Sequence, residues 1–247
     1  MAIGTNPSGG TLSGTKTRTA VSGVASFNDL SIDKDGKTYT LKASSAGLSD
    51  VTSSVFRIMN GNEATWVGSL STDWGTAGNW DIGVVPGSGY DIFIDPATFN
   101  PTLDMTRTAN DLTINTSGVT NIGSRTLTLT GDLINSGTLN VTTGAINVAG
   151  NWANSGTFTA GTGTVTFDGI GASIFTGSTT FYNLTCATAG KTLTFTRGTE
   201  QVVTHGLTIT GTVANPVVIN DTGAGALPKL TVTAGATQSI TLSLIHI

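Results

Sequence analysis

Charged side chains are scarce in this chain. Asp, Glu, Lys and Arg make up 11% of its 247 residues, against roughly a quarter in ordinary globular domains. The formal net charge is −4 at pH 7 and the isoelectric point about 4.9. A nucleic-acid partner needs a basic surface to displace counterions, so that class is set aside. Cysteine is limited to Cys186, which excludes an internal disulfide framework and a Cys-based zinc site. No apolar run reaches the roughly 18–20 residues that a membrane-spanning helix requires. The opening "MAIGTNPSGG" has neither a basic start nor an apolar stretch, so no secretory leader is visible. The chain reads either as cytoplasmic or as an internal piece of something larger. A helical hydrophobic period is missing throughout.

Glycine, at 33 residues, and threonine fill the chain instead, with 38% hydrophobic residues. That balance favours strands and turns, and the apolar positions are periodic enough to offset ordering entropy. "GDLINSGTLNVTTGAINVA" (131–149) is followed directly by "GNWANSGTFTAGTGTVTFD" (150–168), and a fainter copy starts at Leu112. At this 19-residue step Ser117, Ser136 and Ser155 fall in register, as do Gly118, Gly137 and Gly156. Apolar columns follow: Leu127, Ile146, Val165; Leu129, Val148, Phe167; Ile114, Leu133, Trp152. The step holds once more, to Leu184 and Cys186, and then becomes 23, through Leu207 and Leu230, and through Ile209 and Val232.

A fixed period of this length means quasi-identical coils that each bury a face against the next. About five inward side chains, at roughly 1.5–3 kcal/mol each, cannot offset about 1–2 kcal/mol of backbone ordering per residue. A single coil cannot stand alone. The recurring Gly marks a turn that excludes a Cβ or needs a positive φ. Asn135 and Asn154 read as turn residues bonding the local backbone.

Residues 1–60 differ. Short strands are expected at 24–27, 39–43 and 54–58, with a turn at Asp33-Lys34-Asp35-Gly36. That is too few for a complete sandwich of about seven strands. The segment from Gly9, with its "GVASFNDLSI" and "YTLKA" strands, resembles the C-terminal half of a bacterial immunoglobulin-like domain of the invasin and intimin type. After a linker at Asn60-Gly61-Asn62 comes "TWVGSLSTDWGTAGNWDIGVVPGSGYDIFID". It resembles the opening of parallel β-helix segments in large bacterial surface proteins of the haemagglutinin or autotransporter-passenger kind. The fold expectation is all-β: a partial Ig-like β-sandwich (1–60), a Trp-rich cap with the first β-helix strands (61–111), and right-handed parallel β-helix coils, a solenoid (112–241). Residues 242–247 break the style of the preceding strand and read as a non-native tail.

Chemistry is hard to find in this sequence. From 133 to 167 there is no Asp, Glu, Lys, Arg or His, so these coils have no acid–base or metal-ligating side chains. Gly36-Lys37-Thr38 and Gly190-Lys191-Thr192 mimic the end of a phosphate loop, but Ser31 and Thr185 occupy the leading glycine positions. Both read as turn residues. Asp33 and Asp35 lack the Glu of a calcium loop, His205 lacks a carboxylate partner in spacing, and Cys186 reads as a small buried apolar residue. Trp66, Trp74 and Trp80 are expected to pack as a cover for the first coil. Exposed and coplanar, they would instead form a sugar-stacking platform.

No catalytic residue, cofactor or metal is expected, and an enzyme is not. The resemblances imply a bacterial cell-surface or extracellular protein whose partners are host or matrix glycans or proteins. They imply a structural and adhesive role. The alternatives are a carbohydrate-binding module and a β-helix lyase or hydrolase.

Overall fold

The computed structural model describes residues 1–34, 36–58 and 61–245. The chain divides into two compact units, Met1–Glu63 and Ala64–Ile247. Among the described residues the regular elements are strands, apart from one short 3-10 turn at Ala77–Asn79.

The smaller unit is built from short antiparallel pairings. Leu41–Ala43 lies between Ala2–Ile3 and Val51–Thr52, Leu12–Ser13 pairs with Ser31–Ile32, and Gly36–Tyr39 pairs with Phe56–Ile58. Tyr39 is fully buried and its ring lies over Phe56, centroids 6.3 Å apart. These small sheets are consistent with part of an Ig-like sandwich. Two expectations are corrected. Residues 24–27 form no strand: Val21 and Val24 make an isolated bridge and are both exposed, so no buried face holds a ladder there. The expected strand 39–43 is divided at Thr40 between two sheets. Asp35 of the proposed turn and Asn60 of the linker lie outside the described residues.

The larger unit is a parallel β-solenoid with three faces. The first face stacks Arg107–Ala109, Thr126–Leu129, Ala145–Val148, Thr164–Phe167, Thr179–Cys186 and Glu200–Thr210. The second runs from Glu63–Trp66 through Asp91–Ile94, Leu112–Ile114, Leu133–Asn135, Trp152–Asn154, Ala172–Thr176, Thr192–Phe195 and Val217–Asp221 to Ser243–Ile245. The third contains Val119–Gly123, Thr138–Val141 and Thr157–Thr159.

Alternation of Thr or Asn with Leu, Ile, Val or Phe sends every second side chain inward. Like therefore lies over like. Leu127 registers with Ile146, Ile146 with Val165, Val165 with Leu184, and Leu184 with Leu207. All five are buried. Aromatic rings pack in the interior as well, Phe167 of the first face meeting Phe175 of the second at 4.5 Å, and Phe175 meeting its registered neighbour Phe195 at 4.7 Å.

The register departs from the expected columns in two places. Leu112, not Ile114, sits beneath Leu133, and Ile114 pairs with Asn135. The corner between second and third face is four residues long at 115–118 but two at 136–137, with Ser117 at φ 66°. The column Ile114–Leu133 is thus displaced by two. Leu230 and Val232 pair with Gln201 and Val203, whereas Leu207 and Ile209 pair with Gln238 and Ile240. Glu200–Thr210 is one 11-residue strand, and both of its halves alternate in the same way, so two registers satisfy the same pattern. The loop before Lys229 places that strand on the earlier half. Residues 243–245 of the suspected tail add a parallel strand to Val217–Ile219, and His246 and Ile247 lie outside the described residues.

Candidate functional site

The tryptophans were the leading candidates for a binding surface. Trp66, Trp74 and Trp80 are 1%, 2% and 2% exposed. Trp80 packs edge-on against both partners, at 5.0 Å from Trp66 and 4.8 Å from Trp74. Their cluster includes Ile92, Ile94 and Leu103 of the first coils. The indole nitrogens are used internally: Trp66 Nε1 donates to Phe99 O (2.7 Å) and Trp80 Nε1 to Trp74 O (2.9 Å). The three side chains are therefore brought together, but not as the exposed coplanar platform that sugar stacking needs. Asn79 organises the loop around them. Fully buried, it accepts from Leu70 N and Ser71 N through Oδ1 and donates to Ser71 Oγ and Asp73 O through Nδ2. Its position in a polar loop gave no sign of that role.

The corner asparagines do more than cap a turn. Asn135 Oδ1 accepts from Gly137 N (3.2 Å), and Asn135 Nδ2 donates to Asn154 Oδ1 (2.9 Å) and Thr157 O (3.0 Å). Asn154 Nδ2 passes the contact on to Thr179 Oγ1 (3.1 Å), which also accepts from Trp152 Nε1 (3.1 Å). Buried amides in such a chain must satisfy one another from coil to coil. This is structural chemistry that ties three coils together.

Two sets of titratable groups bond from coil to coil through the backbone. Asp91, Asp111 and Asp132 mark successive corners, with Asp132 N donating to Asp111 Oδ1 (2.7 Å) and Asn151 N to Asp132 Oδ1 (2.7 Å). Burial raises the Asp111 carboxyl above its usual range, and the charges of Asp91 and Asp132 add to that. Lys191 forms the second set. It is fully buried, and its Nζ donates to Ala149 O (3.1 Å) and Gly169 O (2.9 Å), two coils and one coil back respectively. Burial lowers its pKa. Gly190 does turn, at φ 76°, but Lys191 itself is an internal tie and not a turn residue.

Cys186 is buried, and burial pushes its thiol pKa up, which leaves it inert as a nucleophile. His205 is exposed, lies flat on Tyr182 (4.4 Å, 8°) and faces Asn183 Oδ1 through Nδ1 (2.9 Å). Among the described residues no group of three His, Cys, Asp or Glu could hold a metal ion. An apolar cavity of about 200 Å³ opens among Phe195, Leu207, Ile219, Leu230 and Ile240, with no titratable cluster at its walls.

What remains is the outer surface of the coils. On the third face Asn140 Nδ2 donates to Asn121 Oδ1 (3.0 Å), and on the first the outward positions are mostly threonine. Comparison with protein-family models, with curated proteins and with solved structures gave no match.

Proposed function

We propose that this chain is a structural and adhesive segment of a large bacterial cell-surface or secreted protein. It is non-catalytic and presents an extended β-helical surface for attachment to cells or matrix. The observation that carries this reading is the in-register column from Leu127 to Leu207, which makes a repetitive outer surface with few charges. Repeat stacks of this kind offer extended binding surfaces in place of pockets. Glycan or protein partners would meet rows of hydroxyl and amide groups. Recognition through Trp66, Trp74 and Trp80 is less well supported, because these rings are buried.

The test is retention of the purified chain, coupled to beads, on cultured host cells, on cell-derived matrix and on a glycan array. Binding that changes little between low and physiological salt is expected, because charge plays a small part and screening has little to act on. Absence of retention on all three surfaces overturns the adhesive reading. Release of shortened products from a polysaccharide panel overturns the non-catalytic one.

A further inference from the structure

The outer side of the first face has an order more regular than attachment to cells requires. Thr108, Thr128, Asn147, Thr166, Thr185 and Thr208 are consecutive registered neighbours, one per coil. A second outward column, two residues earlier, contains Thr126, Ala145, Thr164 and Asn183. Neither column holds a charged residue. Among the described residues, the hydroxyls of Thr126, Thr128, Thr166, Thr185 and Thr208 make no side-chain hydrogen bond within the protein. In the second column Thr164 Oγ1 accepts from Asn183 Nδ2 (3.2 Å), so that contact stays within the grid. These five hydroxyls therefore have their hydrogen-bonding capacity unused within the fold.

Spacing identifies what that could be. Neighbouring strands lie about 4.8 Å apart and alternate residues of one strand about 6.7 Å apart. Those two lengths, at right angles, lie close to the oxygen repeats on the faces of an ice crystal. Branching at Cβ holds each threonine to few rotamers, so the grid is fixed before any ligand arrives. Each side chain offers one hydroxyl that both donates and accepts, and a methyl group around which water orders itself. A lysine or glutamate in the grid would impose its own hydration shell. None is present.

We infer that the threonine-lined outer side of the first face adsorbs to ice, its hydroxyl rows anchoring water at lattice positions. This goes beyond the adhesive reading, since it concerns one face and one crystalline ligand. The experiment is partition of the labelled full chain into slowly growing ice, together with microscopy of ice recrystallisation. The wild-type chain is expected to enter the ice and to arrest grain growth. Thr166→Lys and Thr128→Lys, which change only outward positions, are expected to lose both effects while keeping the wild-type melting temperature. Thr157→Lys, exposed on the third face, is expected to retain them. Exclusion of the wild-type chain from ice overturns the inference, as does equal loss in the Thr157→Lys chain. If one of the first-face variants fails to fold, the other decides.

Discussion

Replacing Gly137 by alanine would put a Cβ into space already occupied by the coil beneath. The added atom would stand 2.5 Å from Asn115 O and 2.8 Å from Ile114 Cγ2, with the Gly118 carbonyl oxygen closer still. Ordinary contact begins near 3.4 Å, so the corner would have to lift by about 1 Å, a displacement comparable to overpacking a core. Two backbone bonds hold it down: Thr138 N to Gly118 O and Ser136 N to Ile114 O, both 2.8 Å. Losing them costs about 1 kcal/mol each, and overpacking adds about 1–3 kcal/mol. The total is about 3–5 kcal/mol, which lowers the melting temperature by about 6–20 °C in a unit of this size.

Gly123 supplies the control. It lies at φ +66° with nothing within 4 Å of an added Cβ, so alanine there meets only the left-handed backbone penalty of about 1–2 kcal/mol. Thermal unfolding followed by tryptophan fluorescence should separate the two variants. A Gly137→Ala chain that melts with or above Gly123→Ala would refute the argument that close approach between coils, and not backbone conformation, fixes glycine at this corner.

Two further variants test the internal ties. Lys191→Met keeps most of the side-chain volume but leaves Ala149 O and Gly169 O without their donor, at about 1–3 kcal/mol per buried acceptor. Urea denaturation at pH 7 should show a loss of about 2–6 kcal/mol. Because burial lowers the Lys191 pKa, the unfolded chain binds the extra proton, and wild-type stability should rise toward alkaline pH. The variant should lack that rise, and an unchanged slope would remove Lys191 as its cause. Asp111→Asn acts in the opposite pH range. A raised carboxyl pKa gives stability that is intact below the unfolded value of 3.8 and lost as pH rises through the folded one. The amide can still accept from Asp132 N, so the variant should be more stable at pH 7 and equal to wild type at pH 3. Reduced stability at pH 7 would mean that the carboxylate is favoured at this corner.

The coil-to-coil register was legible in the sequence wherever consecutive coils had equal lengths. Leu127, Ile146 and Val165 register as their spacing requires, because each of those coils is 19 residues long in total. Ile114 does not lie under Leu133, since two extra residues at 115–118 lengthen one corner without touching the serine and glycine that mark it. Leu230 and Val232 were misplaced for a different reason. An alternating pattern has a period of two, so any even displacement along Glu200–Thr210 buries the same kind of side chain, and only the loop geometry chooses between them. The strand expected at 24–27 failed because alternation without a buried face has nothing to hold it.

Lys191 and Asn79 show where such reading stops in physical terms. A lysine beside a glycine and an asparagine in a polar loop both have the composition of solvated turns. Nothing in the linear pattern distinguishes them from Lys34 or Asn62. What makes each one internal is the set of carbonyls and amides that the coils place around it: Ala149 O and Gly169 O for the lysine, Leu70 N and Asp73 O for the asparagine. The converse holds for the threonine rows. Their positions follow from the period alone, while their unused hydroxyls become visible only when every partner in the fold has been assigned. The residues that shape the interior are therefore the exceptions to the repeat, and the surface offered to a ligand is the repeat itself.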